Sequence, residues 1–149
     1  AGPMVSMKAF SMNMPFAGLI AHGEKTLETR NHTMFEGTEG QRMALHVGQR
    51  TYPDGGKHKE ILREGAPGIS GLEGMDDATI ARVTSLPKGM SRGQVVAVVT
   101  LGKTTFVPDE AERSNPEVQR RCVATGAAMG RYLTEVAGTV WLEEGVPIR

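Results

Sequence analysis

The chain is poor in the residues that build several common kinds of fold and site. It has a single cysteine, Cys122, so no disulfide can form within the chain and nothing indicates an oxidising compartment. No apolar run approaches the roughly 20 residues that a membrane-spanning helix needs. No charged segment followed by an apolar stretch opens the chain as a signal peptide would. We therefore expect an intracellular protein, cytoplasmic or nuclear, with no membrane partner.

The chain also lacks a surplus of charge of either sign. Seventeen Lys and Arg residues are balanced by seventeen Asp and Glu residues, so the formal net charge is zero. Proteins that hold long nucleic acids mainly through the phosphates carry a basic surplus. The balance argues against such a protein, and against DNA as a partner. It leaves open the local recognition of a nucleotide or a short strand.

Several catalytic and cofactor-binding patterns are absent as well. The four histidines are ten or more residues apart, without a partner at metal-ligand spacing, so the sequence predicts no metal site. Neither a glycine-rich phosphate loop nor a GxSxG nucleophile elbow occurs. We therefore expect no cofactor.

The periodicity of apolar residues predicts about six strands and several short helices. Pro15 opens a helix that ends at Gly23, and residues 25–30 alternate as a strand. Residues 114–117 match a capping box, with Ser114 as the cap. The remaining predicted strands are residues 8–12, 42–47, 94–101, 132–136 and 140–148, and the remaining helices are 58–64, 76–86 and a turn at 108–110. We expect an α+β fold, a small mixed β-barrel with peripheral short helices.

The domain organisation follows from length and from the first residues. A chain of 149 residues suits one domain. Residues 1–3 are interpreted as a cloning remnant ahead of a start at Met4, which gives a single domain over residues 4–149.

The segment GEKTLETR, residues 23–30, is the most distinctive in the chain. On a strand, Thr26, Glu28 and Arg30 share one face and place an acceptor beside a forked donor. Such a pair can read the donor and acceptor edge of a base, while Lys25 meets a phosphate or carbonyl. The alternative is an ordinary ion pair of Glu28 with Arg30 or Lys25. Periodicity alone favours the ion pair, because most charged pairs are surface pairs of small effect.

These residues, with SMNMPFAGLI at 11–20, resemble the opening motif of the ASCH family, a branch of the PUA-like barrels. The motif runs as a serine, a proline-aromatic helix start and then G-x-K-x-x-E-x-R. The chain looks most similar to the EOLA-like subfamily, and the similarity continues in order through residues 44–50, 93–99, 108–110, 132–134, 141–143 and 147–148.

This resemblance implies a barrel with a cleft beside the first helix, suited to RNA or a nucleotide-like ligand. By position, the cleft residues are Lys25, Glu28 and Arg30, with Ser11 and Pro15 shaping its edge. It also implies that related chains continue beyond residues 147–149 into a last strand, so we expect the barrel here to lack one or to close differently.

Three further residues are candidates for ligand contact. His46 shares a predicted strand face with Arg42 and could reach the cleft, or it could be a structural histidine. Arg50 and Tyr52 follow on the same segment and combine a cation with an aromatic ring, as in many sites for single-stranded bases. Trp141, between Val140 and Leu142, is interpreted as a core residue rather than a stacking platform.

The sequence leaves catalysis open. Some ASCH-like proteins are amidohydrolases with a lysine and a threonine three residues later, but the residue three positions after Lys25 is Glu28, which cannot replace a hydroxyl nucleophile. For a single-strand ribonuclease, Lys25, Glu28 and His46 would supply the cation and the acid-base groups. The alternatives to a binding protein are thus a small hydrolase in the same cleft and a protein-interaction module.

Overall fold

The computed structural model describes residues 7–148, which form an α+β structure of one five-stranded mixed sheet and short helices. This confirms the predicted class. In chain order the elements are β1 (Ala9–Met14), α1 (Phe16–Ala21), β2 (Leu27–Arg30), β3 (Arg42–Thr51), α2 (Lys57–Glu64), α3 (Asp77–Val83), β4 (Gln94–Phe106), α4 (Glu110–Arg113), α5 (Pro116–Cys122) and β5 (Tyr132–Pro147).

The sheet is open rather than closed into the expected barrel. Its strand order is β1-β3-β4-β5-β2, so the first two strands of the chain form its two edges. β1 runs parallel to β3, and the other neighbours are antiparallel. The strand β1 and the strand β2 are joined through α1, which brings both edges close to one helix.

The prediction of six strands is wrong because the last two are one. β5 is continuous over Tyr132–Pro147 and pairs with β4 for most of its length. At the predicted turn the pairing shifts instead, since Thr100 faces Gly138 while the next residue, Leu101, faces Val136. The residue left over is a β-bulge, a feature that glycine within a strand commonly marks.

The main core lies between the inner face of the sheet and α1. Val96, Ala97 and Val99 of β4 are fully buried, as the apolar run in this strand predicts, and they pack with Ala17 and Ile20 of α1. A second buried cluster covers the other side of α1, where Leu19 meets α2 and α3. Because α1 is packed on both sides, its ends are fixed relative to the strands that flank it.

Several helix ends differ from the sequence prediction. Gly23 has a φ of +81°, the left-handed conformation expected after α1. Asp76 caps α3 as one of two predicted candidates, but the helix ends at Val83 rather than near residue 86. The cap of α5 is Asn115, whose side chain accepts a hydrogen bond from the Glu117 amide at 2.9 Å, so the assignment of Ser114 was wrong. Pro116 at the first helical position makes the residue before it the cap.

No helix within residues 7–148 is long and apolar enough to cross a bilayer.

Candidate ligand-binding cleft

A cleft of about 800 Å³ lies between the two edge strands of the sheet. Ser11 to Asn13 of β1 border one side, and Glu28 to Arg30 of β2 border the other. Phe16 at the start of α1 and the loop of Tyr52 to Asp54 complete its walls. The position of the cleft therefore follows from the open sheet, because its two edges face the same space.

The structure brings five of the eight predicted site residues to this cleft. Ser11, Lys25, Glu28, Arg30 and Tyr52 line it. The other three, Pro15, His46 and Arg50, are not part of its lining.

Lys25 is almost completely buried beneath the cleft surface, with 2% of its area exposed. Its Nζ donates a hydrogen bond to the backbone carbonyl of Cys122 at 2.6 Å and lies 3.7 Å from Glu28 Oε1. The ring of Phe16 covers it, with 5.4 Å from Nζ to the ring centroid, within the range of a cation–π contact. Although Lys25 precedes β2, it thus turns to the same side as Glu28.

Glu28 lies at the centre of a charged cluster. Its Oε2 accepts a hydrogen bond from Arg30 Nη2 at 3.0 Å, and its Oε1 accepts one from the backbone amide of Thr29 at 2.9 Å. Both ion pairs that the sequence allowed, with Lys25 and with Arg30, are therefore present. Only 5% of Glu28 is exposed, and the residue belongs to the lining of the cleft.

Arg30 is the most exposed member of this cluster. About 30% of its side chain is exposed, against 2% for Lys25 and 6% for Glu28. Its guanidinium lies over the ring of Phe35, 5.8 Å from the centroid, and its Nε is buried without a hydrogen-bond partner. A guanidinium supported in this way is held in one orientation and keeps unused donors.

Cys122 borders the cluster but is not suited to nucleophilic chemistry. Burial raises the pKa of its thiol, and the nearby Lys25 ammonium, with Nζ 3.5 Å from Sγ, opposes that rise only in part. The thiolate is the reactive form of cysteine, so a raised pKa makes this side chain inert.

Aromatic rings form the wall of the cleft above Lys25. Phe16 and Tyr52 meet edge to face with centroids 5.5 Å apart, and Tyr52 is 53% exposed. Phe16 also contacts the ring of His58, 6.2 Å away. An exposed tyrosine supported by a second ring provides a flat surface on which a base can stack.

The loop that carries Tyr52 is fixed by Asp54. The Asp54 carboxylate accepts hydrogen bonds from His58 Nδ1 at 2.8 Å and from the backbone amides of Gly56 and His58. Burial raises the pKa of Asp54, but the hydrogen bonds and charge interaction with His58 outweigh it, so the pKa lies below its usual value. The Asp54–His58 pair therefore holds the loop that carries Tyr52, and with it the aromatic wall of the cleft.

The predicted residues outside the lining have other contacts. His46 Nδ1 lies 2.7 Å from Ser11 Oγ, which places the histidine behind the cleft edge. Pro15 is buried at the start of α1, and Arg50 is exposed near the end of β3. Lys25, Glu28 and His46 thus do not line one surface as the ribonuclease alternative required. Trp141 packs partly against the main core and contacts His22.

Sequence reasoning missed several lining residues. Phe16 is not among the predicted site residues, although its ring covers Lys25. Asn13 and Asp54 border the cleft without belonging to the motif of residues 23–30. The signal in the sequence is the spacing of Asp54 and His58, which are four residues apart with two glycines between them. This pattern predicts a loop in which the Asp54 side chain binds the backbone amides that follow it.

Fold and cleft define this chain as a small α+β protein with a polar cleft that is lined by charged and aromatic side chains. A comparison with models of known protein families finds no match. Within residues 7–148, no cluster of three or more His, Cys, Asp or Glu side chains could hold a metal ion.

Proposed function

We propose that this protein is an ASCH-type domain of the PUA-like superfamily that binds RNA or a nucleotide-like ligand in the cleft between β1 and β2, inside the cell. The observation that carries the proposal is the arrangement of the cleft itself. The aromatic rings of Phe16 and Tyr52 border the same cleft as the hydrogen-bonded pair of Glu28 and Arg30, which forms its polar floor.

This combination suits a base better than a purely apolar or a purely charged ligand. Unpaired bases are held by stacking on aromatic rings and by hydrogen bonds along their polar edges. A cleft of about 800 Å³ has room for one or two nucleotides rather than for a long duplex. The absence of net charge agrees with recognition at a single site.

The test is a titration with nucleosides and short single-stranded RNAs. Binding is followed by calorimetry and by the NMR chemical shifts of the backbone amides of an isotope-labelled protein. We expect binding in the wild type, and at least tenfold weaker binding, about 1.4 kcal/mol, in Tyr52→Ala and Arg30→Ala. Arg63→Ala is the control, because Arg63 is half-exposed and pairs with Asp77 away from the cleft. Equal loss in all three variants would contradict the assignment of the cleft.

A hydrolase is the second candidate, and one contact favours it. The Ser11 hydroxyl at the cleft edge lies 2.7 Å from His46 Nδ1, a distance at which an imidazole can accept the serine proton. Incubation with acetylated cytidine and with labelled single-stranded RNA tests this function. Turnover that disappears in both Ser11→Ala and His46→Gln would support it, and turnover that survives both would assign the reaction to another site or to a contaminant.

The third alternative, a protein-interaction module, is an outcome of the same titration. If no nucleoside or RNA binds at millimolar concentration, the nucleotide proposal fails and this alternative becomes the better one.

A further inference from the structure

We infer that the cleft reads the Watson–Crick edge of one unpaired base through Glu28 and Arg30 and leaves the phosphate outside, with Lys25 as a positioning residue. This inference rests on the proposed function and specifies which part of the ligand is recognised.

The Glu28 carboxylate has room for one more hydrogen-bond donor. A carboxylate offers about four lone-pair positions. In Glu28 three polar groups approach it, namely the Thr29 amide, Arg30 Nη2 and, at 3.7 Å, Lys25 Nζ. At least one position is left, and Glu28 borders the cleft. A ligand that lies against Glu28 can therefore donate a hydrogen bond to it.

The Arg30 guanidinium places a donor beside the Glu28 acceptor. Arg30 Nη2 is 3.0 Å from Glu28 Oε2, so a donor and an acceptor stand side by side at the cleft floor. The Watson–Crick edge of each base also carries a donor beside an acceptor, for example the N3–H of uracil next to a carbonyl oxygen. A base in a duplex has this edge occupied, so the ligand has to be an unpaired base.

Lys25 is not available to bind the phosphate of a ligand. Lys25 is 2% exposed, lies under Phe16 and donates to the Cys122 carbonyl at 2.6 Å. It cannot leave these partners for a phosphate without exposing a buried carbonyl and leaving Glu28 with one cation instead of two. Lys57 at the rim is 60% exposed and lies 3.2 Å from Glu60, so it is a surface charge of small effect. Lys25 thus acts on the ligand only through the position of Glu28.

The experiment compares 3-methyluridine with 5-methyluridine, which differ only in the position of one methyl group, and uses uridine as the reference. Calorimetry with uridine, 3-methyluridine and 5-methyluridine separates the Watson–Crick edge, which the 3-methyl group blocks, from the opposite edge, which carries the 5-methyl group. We expect 3-methyluridine to bind at least about tenfold more weakly than 5-methyluridine, because Glu28 then faces no donor. Uridine and uridine monophosphate should differ by less than about threefold.

The variants test the two roles. Glu28→Gln should reduce the preference for 5-methyluridine over 3-methyluridine, because the amide has one acceptor oxygen where the carboxylate has two. Lys25→Met should also lower the ratio of the affinity for 5-methyluridine to that for 3-methyluridine. If the lysine had a purely structural role, the variant would weaken the binding of both ligands equally. The wild-type comparison decides the inference even if a variant does not fold.

The failures of inference and proposed function can be told apart. Equal binding of both methylated ligands overturns the reading of the Watson–Crick edge and leaves nucleotide binding intact. A monophosphate that binds more than about threefold more tightly than uridine overturns the exclusion of the phosphate. Binding of none of these ligands, nor of short RNA, contradicts the proposed function itself.

Discussion

Two clusters of buried charge flank the same short segment, and only one of them faces the cleft. On one side, Arg120 donates to the backbone carbonyl of Glu24 at 2.9 Å and to its carboxylate. On the other, Glu28 lies between Lys25 and Arg30. The sequence separation between the two glutamates is only four residues, and both clusters hold the start of β2 against α5.

The difference between the clusters lies in the exposure of the arginine. Arg120 is 1% exposed and is not part of the cleft lining, whereas the Arg30 side chain is 30% exposed and lines it. Removing Arg120 is costly because the Glu24 backbone carbonyl and its partly exposed carboxylate both lose their donor. We therefore expect the Arg120 cluster to contribute to stability and the Arg30 cluster to ligand binding, with Lys25 contributing to both.

The largest effect on stability is expected for Arg120→Met. This change removes both hydrogen bonds to Glu24 and should lower the free energy of unfolding by about 3 kcal/mol, measured by urea denaturation. Arg121→Met is the matched control, because Arg121 is half-exposed and lies 3.6 Å from Glu135, and it should cost less than about 1 kcal/mol. Similar values for the two variants would refute the distinction.

Lys25→Met should have an intermediate effect on stability. The variant keeps the length of the side chain but leaves the Cys122 carbonyl without its donor, while Glu28 retains Arg30. We expect a loss of about 2 kcal/mol in the free energy of unfolding. Nucleoside binding should weaken in the same variant; unchanged stability would show that the lysine is not held as the structure describes.

Arg30→Gln should separate binding from stability most clearly. Because Glu28 keeps Lys25 and the Thr29 amide as partners when Arg30 is replaced, the free energy of unfolding should change by less than about 1 kcal/mol. The dissociation constant for nucleosides should increase at least about tenfold, measured by calorimetry. A loss of stability as large as that of Arg120→Met would place both clusters in the same structural role.

The smallest effect concerns the rim of the cleft and its dependence on pH. The folded-state pKa of Asp54 is lowered, so its contribution to stability is present above its unfolded pKa of about 3.9 and is lost as the pH falls through the folded value. The Tm of Asp54→Asn should therefore lie below that of the wild type at pH 6, and the gap should narrow below about pH 4. In Asp77→Asn, which removes an exposed ion pair, the Tm should change less at pH 6. A gap that does not depend on pH would contradict the role of the Asp54 carboxylate.

Much of the fold was predictable because the relevant signals are local. The apolar run of β4, the left-handed glycine after α1 and the proline that precedes it each depend on neighbouring residues alone. The convergence of Glu28 and Arg30 followed from the two-residue period of a strand.

The remaining features depend on contacts between distant segments. Nothing near Lys25 in the sequence indicates that its ammonium binds the carbonyl of Cys122, 97 residues away. Gly138 is as compatible with a turn as with a bulge, and the pairing of β5 with β4 decides between them. The strand order that leaves β1 and β2 as edges is likewise a property of the whole sheet.

The pairing of β2 with β5 also determines when the cleft can form during synthesis. Every residue of β2 pairs with a partner more than 100 positions later, from Leu27 with Glu135 to Arg30 with Tyr132. At 5–20 residues per second, a ribosome needs roughly 5–20 s to make the intervening chain. During that interval the segment that carries Glu28 and Arg30 lacks its β5 partner, so the cleft is incomplete and the edge of β2 cannot yet pair.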